Sequence, residues 1–93
     1  MVLAKRKVVS ALERKGFEKD VDGKHIVFTY RTLDGNLSRI TTYVSHGNKP
    51  KDLDDHLIGR MARQTKLLKK NFERLASCPM GRNEYEKIIR KNL

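Results

Sequence analysis

The sequence predicts an α+β domain of order α-β-β-β-α: a three-stranded antiparallel sheet, helices on one of its faces, and a C-terminal helical extension. Three observations carry this reading. Apolar residues recur at helical spacing near the N-terminus and again after residue 52. Between those segments the period falls to two, and the turn signals Asp22–Gly23 and Leu33–Asn36 divide the alternating stretch into consecutive strands.

Residues 4–15 read as the first helix. Val8 with Leu12 and Val9 with Leu12 supply the i,i+4 and i,i+3 pairs of one apolar face. Gly16 stands where a left-handed residue commonly ends a helix, and Phe17 follows as its hydrophobic anchor. "FEKDV" is then a short strand, turned by Asp22–Gly23 into "HIVFTYR". In that second strand Ile26, Phe28 and Tyr30 share one face, and His25, Val27, Thr29 and Arg31 share the other. The third strand, "LSRITTYV", sets Ile40, Thr42 and Val44 against Arg39, Thr41 and Tyr43. Ser45 to Asp52 is a loop. A second long helix follows, capped by Asp52 or Asp54, with an apolar stripe of Leu53, Leu57, Ile58, Met61 and Leu68. A short helix ending before Pro79 and a last helix from about Asn83, docked by Tyr85, Ile88 and Ile89, complete the chain. The expected division is a domain over residues 1–68 with an extension over 69–93 packed on it.

Helices cover only one face of such a sheet, so the other stays in water. If Ile26, Phe28 and Tyr30 face the helices, His25 lies on the open face with Thr29 and Arg31, and beside Arg39, Thr41 and Tyr43. A β-bulge in either strand would break that parity.

Charge says what kind of partner to expect. Twenty-one Lys and Arg oppose 11 Asp and Glu, for a formal net charge of +10. The excess is spread along the chain, +3 over residues 1–24, +2 over 25–52 and +5 over 53–93, as in a folded basic domain and unlike a basic tail. Nucleic acid is the usual partner of such a domain, through counterion release at phosphates. An anionic membrane surface or an acidic protein are the competing partners. The lone Cys78 excludes an internal disulfide framework and fits a reducing, cytoplasmic setting. The first 17 residues lack an uninterrupted apolar run of signal-peptide length, and nothing approaches the ~18 apolar residues of a membrane span.

Other chemistries find no support. Ser10, Ser45 and Ser77 lack a nucleophile-elbow context, His46, His56 and Cys78 lack zinc-finger spacing, and "SHGNKP" is not a phosphate-binding Walker loop. No metal or cofactor is expected. What remains is His25 on a basic, partly aromatic open face, either an ordinary polar residue after a turn or an acid–base group. RNA carries its own nucleophile, the 2′-hydroxyl, so its cleavage needs only a proton acceptor, a proton donor and cations near the phosphate. His25 is the candidate catalytic residue and Lys24, Arg31 and Arg39 the candidate phosphate contacts. Arg63, Lys66 and Lys70, at i, i+3 and i+7, form a further basic stripe that is either a solvated face or an RNA contact. One histidine supplies half of an acid–base pair, which implies a slow enzyme.

The order α-β-β-β-α, "ALERKGF" leading into a strand, a Gly-x-His junction, and "SHGNKPKDLDDHLIGRMARQTKL" together resemble the HicA toxin family over residues 5–67. The resemblance implies a double-stranded-RNA-binding-domain-like fold, ribonuclease activity on mRNA with His25 at the family's catalytic position, and inhibition by a HicB-like antitoxin. "DGKH" replaces the family's Gly-Ser-x-His, so the glycine is one residue nearer the histidine and the serine is missing. A non-catalytic RNA-binding module and a basic protein-interaction domain are the alternatives.

Overall fold

A computed structural model describes residues 2–47, 51–77 and 79–93. The chain runs β1 (Leu3–Ala4), α1 (Lys5–Arg14), β2 (Phe17–Asp22), β3 (His25–Arg31), β4 (Leu37–Ser45), β5 (Asp52–Leu53), α2 (Asp55–Gln64), α3 (Lys69–Ala76) and α4 (Arg82–Ile89), closed by a 3₁₀ turn over Arg90–Asn92. The α+β architecture is the one expected: β2, β3 and β4 form an antiparallel sheet in that order, with β3 central. A small second ladder, β1 with β5, pairs Leu3 with Leu53 and Ala4 with Asp52. The sequence reading missed it, because two-residue strands carry too few residues to show a period.

The period-two pattern sorts the sheet. Phe28, Tyr30, Ile40, Thr42 and Val44 are buried against the helices, with Ile26 partly buried beside them. The register pairs His25 with Ser45, Val27 with Tyr43 and Thr29 with Thr41, so these residues share the opposite, open face. The register does shift, but only between Thr29 and Arg31, at the far end from His25. Gly23, at φ +58°, supplies the positive φ of the two-residue β2–β3 turn.

The helices differ from expectation in one consequential way. The predicted long helix stops short, at Gln64, and α3 (Lys69–Ala76) stands where the short helix before Pro79 was expected. Asp54 caps α2 by accepting from the Leu57 N–H at 2.9 Å, and the helix ends at Gln64 because Lys66 enters the left-handed region at φ +66°. Thr65 is buried, its hydroxyl donating back to the Met61 carbonyl at 2.8 Å. Leu53 therefore belongs to β5 and is buried there, whereas Leu68 begins α3 and is 66 % exposed instead of lining a core stripe. Ile88, expected to dock α4, faces solvent, and Tyr85 and Ile89 do the docking. Cys78, read as a small core filler, lies outside the described residues, as do 48–50 of the loop.

Residues 69–93 are not an appendage. Phe72, Leu75, Met80, Tyr85 and Ile89 are fully buried in the same core as Val8, Leu12 and Phe28. The Tyr85 ring packs edge-on to Tyr30 at 5.0 Å and against Phe17 at 5.5 Å, and its hydroxyl donates to the Thr65 carbonyl at 2.9 Å. Glu86 accepts from the Tyr30 hydroxyl at 2.7 Å and from the Leu33 N–H at 2.8 Å, while Arg82 donates to the Arg31 carbonyl at 2.8 Å. α4 thus clamps the β3–β4 turn. Gly16, at φ +97°, would be strained by any side chain, and a Cβ there would have to displace the Arg82 side chain, 2.5 Å away.

Two outcomes follow from this packing. Each of the five buried side chains contributed by residues 69–93 is worth about 1.5–3 kcal/mol of burial. Their sum is comparable to the about 5–15 kcal/mol net stability of a small domain. A chain ended at Leu68 is expected to lose cooperative unfolding in urea; a sharp two-state transition would show a self-sufficient 1–68 unit. The second concerns base. Burial first, and the hydrogen bond to Glu86 second, push Tyr30 from 10.0 to about 12, and burial raises Tyr85 further in the same direction. The unfolded chain releases these protons near pH 10.0 while the folded chain keeps them, so stability falls as pH rises from 10.0 to about 12. The urea midpoint should drop across that window, and less steeply in Tyr30→Phe.

Candidate functional site

β3 begins at His25, immediately after the turn, and the alternation that buries Phe28 and Tyr30 turns the imidazole outward, where it is exposed. Its ring meets the Tyr43 ring edge-on, centroids 5.0 Å apart at 83°. Tyr43 in turn carries the Arg60 guanidinium 4.0 Å from its centroid, and Arg60 Nη2 donates to the Tyr43 carbonyl. Arg60 comes from α2, so it reaches round the edge of the sheet to join residues of β3 and β4. Its Nε is buried and has no hydrogen-bond partner among the described residues. The three side chains, with Leu53, Leu57 and Ser45, line a cleft of about 290 Å³ at the β4 edge.

A cation on one aromatic face and an imidazole at its edge make a compact unit. The tyrosine ring offers a stacking surface, the guanidinium a fixed positive charge, and the imidazole two ring nitrogens that donate or accept a hydrogen bond. Asp22 faces His25 directly across the β2–β3 ladder. On the other side His46 donates its N–H to the Lys24 carbonyl at 2.7 Å, and its Nδ1 lies 3.3 Å from the Gly23 carbonyl. Lys24 itself is exposed in the turn.

The remaining expected contacts are dispersed. Arg31 and Arg39 are on the open face, but each is about 20 Å from His25 by strand rise. Arg31 is committed elsewhere: Nη2 and Nε bind Glu18 at 2.6 and 2.9 Å, and Nη1 donates to the Gly35 carbonyl at 2.6 Å. The stripe Arg63, Lys66 and Lys70 is not one helix face, since the break at residues 65–68 puts Arg63 on α2, Lys66 in the connection and Lys70 on α3. The open face is also less basic than its β3 and β4 residues suggested. The register gives it Glu18, Asp20 and Asp22 from β2, paired with Thr29, Val27 and His25. Three carboxylates from β2 there face two guanidiniums from β3 and β4, Arg31 and Arg39, with Arg60 of α2 reaching the face at Tyr43.

Two residues escaped the sequence reading. Arg60 flanks the apolar stripe of α2 at the same face as Leu57 and Gln64 (i, i+3, i+7), a spacing that points it at the sheet. Gln64 marks the same face, accepting from the buried Thr42 hydroxyl at 2.8 Å. Lys5 is only 8 % exposed; its ammonium donates to the carbonyls of Ser45 at 3.1 Å and Gly47 at 3.0 Å. Its spacing to Val8 and Leu12 placed it on the buried side of α1 all along. Lys5 pins the segment that follows Tyr43 and carries His46. Among the described residues, no three His, Cys, Asp or Glu side chains group in a way that could hold a metal ion, and no helix is long and apolar enough to cross a membrane.

The ring stack makes a direct prediction. Tyr43→Ala removes an edge-to-face pair and a cation–π contact and is expected to cost about 1–2 kcal/mol. It should also shift the His25 ring-proton NMR signals by removing the tyrosine ring current. His25 resonances at the same position in both proteins would separate the two rings in solution.

No family model matches this chain, and neither a curated protein nor a solved structure matches it.

Proposed function

We propose that this chain binds RNA and cleaves it without a metal ion, as a toxin of the HicA kind held in check by an acidic antitoxin. The observation that carries the reading is the exposed His25 imidazole set against Tyr43 in a cleft that also holds the Arg60 guanidinium. In the reaction the 2′-oxygen of one nucleotide bonds to the adjacent phosphorus and the bond to the 5′-oxygen breaks, leaving a 2′,3′-cyclic phosphate and a 5′-hydroxyl. His25 takes the 2′-hydroxyl proton or gives a proton to the departing oxygen. Arg60 and Lys24 are the cations placed to offset charge growing on the phosphate, and Tyr43 is the surface on which an unpaired base stacks. Asp22 and His46 are the ionisable neighbours at the same hairpin end for the complementary proton transfer.

A second reading, an RNA-binding module that holds RNA elsewhere and leaves the histidine passive, is favoured by one observation: Glu18, Asp20 and Asp22 lie on the His25 face of the sheet and work against a polyanion there. His25→Ala separates the two. The expected result is a loss of ~10²–10⁴-fold in RNA cleavage, in line with the worth of a positioned acid–base group, and loss of growth arrest, with the circular dichroism spectrum and RNA affinity retained. Equal growth arrest by the wild type and His25→Ala would remove the imidazole from the mechanism.

A further inference from the structure

A different part of the molecule carries the second inference, which rests on the RNA reading but not on catalysis. α1 and the end of α3 enclose a groove of about 500 Å³ lined by Arg6, Lys7, Ser10 and Arg14 on one wall and by Ala76 and Ser77 on the other. Among the described residues, no carboxylate and no large apolar side chain lines it. Arg6, Ser10 and Arg14 follow one another at i, i+4 and i+8, a row of ~12 Å along the helix axis. The second wall exists only because residues 69–93 pack into the core.

The charge in this groove is costly to the helix that bears it. The first turn of α1 holds Lys5, Arg6 and Lys7 and no acidic residue, although cations there oppose the positive end of the helix dipole. Lys5 is explained by its bonds to Ser45 and Gly47. Arg6 and Lys7 are exposed and make no ion pair or hydrogen bond with any described residue, unlike Lys19, Lys69 and Arg74, which are paired with Glu13, Asp55 and Glu84. Two cations placed against the local rule, without an internal partner, mark a surface shaped by something other than folding.

We propose that this groove is a second RNA site, taking the sugar–phosphate backbone of a strand through Arg6 and Lys7. Its lining favours a phosphate backbone over a protein partner, which would need apolar anchors at the centre of its interface. Continuity supports the assignment. Arg6 also lines the neighbouring cavity of about 710 Å³ with Lys5, Gly47, Lys51 and one carboxylate, Asp52, and Lys5, next to it in sequence, reaches Ser45, the strand partner of His25. A strand leaving the His25 cleft past residues 45–47 meets Arg6 first.

The test measures oligouridine binding over a salt series in a His25→Ala background, so that the RNA stays whole. Arg6→Gln/Lys7→Gln should lower the slope of log K against log salt by ~1.4, at ~0.7 per released cation on a single strand, with a melting temperature equal to or above its parent's. Lys87→Gln/Lys91→Gln, an equal charge loss at the C-terminal end, should leave the slope unchanged. An unchanged slope in the Arg6/Lys7 variant, with RNA still bound, overturns the groove alone. So does an equal drop in the control, which would make net charge the cause. An unchanged slope with lost binding to oligoglutamate would assign the groove to an acidic protein and overturn it too. No RNA binding at low salt by the His25→Ala parent would overturn the RNA reading and the groove with it.

Discussion

The constraint on which this molecule depends is the parity of β3. A central strand has two neighbours and two faces, and its side chains alternate without exception until a bulge intervenes. Phe28 and Tyr30 are too large and apolar to leave in water, so they fix one face inward. Once they are fixed, His25 has no choice but to point outward, and Tyr43 with it through the Val27–Tyr43 pairing. The register irregularity falls beyond Thr29, where it displaces Arg31 and leaves the histidine end untouched. A one-residue slip anywhere between 25 and 29 would bury the imidazole and expose an aromatic core residue, and the two penalties would act together.

Much of this was readable from residues alone, and the failures have identifiable causes. The alternation in "HIVFTYR" and "LSRITTYV" is strong because each strand has bulky residues on one parity and polar ones on the other. Gly16 and Gly23 marked their boundaries because both positions demand positive φ. The second helix misled because Leu53, Leu57, Met61 and Leu68 do fall near a helical repeat. What breaks it is Lys66, a non-glycine residue in the left-handed region, held there by tertiary contacts such as the Tyr85–Thr65 bond from α4. No local signal announces a bond made 20 residues away. The acidity of the open face was also hidden. "FEKDVD" shows Glu18, Asp20 and Asp22 plainly, but only the β2–β3 register says that they share a side with His25.

The distribution of charge is uneven in a way that net charge conceals. On the sheet, Arg31 is bound to Glu18 and Lys19 to Glu13. On the helices, Lys69 and Arg74 are bound to Asp55 and Glu84. These pairs are exposed and contribute little to stability. Their larger effect is to neutralise cations locally, so that among the described residues positive charge stays unpaired on α1 (Arg6, Lys7), α2 (Arg63), α3 (Lys70) and α4 (Lys87). Steering toward those regions follows from geometry that total charge does not reveal.

Lys5 joins the His25 end to α1 and shows how the fold keeps them positive. A buried ammonium needs acceptors, and the stronger solution would be a carboxylate. Here the acceptors among the described residues are neutral: the Ser45 and Gly47 carbonyls, and the Ser45 hydroxyl at 3.4 Å. Neutral oxygens satisfy the donors without cancelling the charge, so its field persists at the end of β4, within one strand pairing of His25. A carboxylate in the same place would hold the loop as firmly and would leave a neutral pair there. Burying the lysine stem while leaving its charge uncompensated therefore serves the loop and the site at once, and it does so from the residue that immediately precedes Arg6.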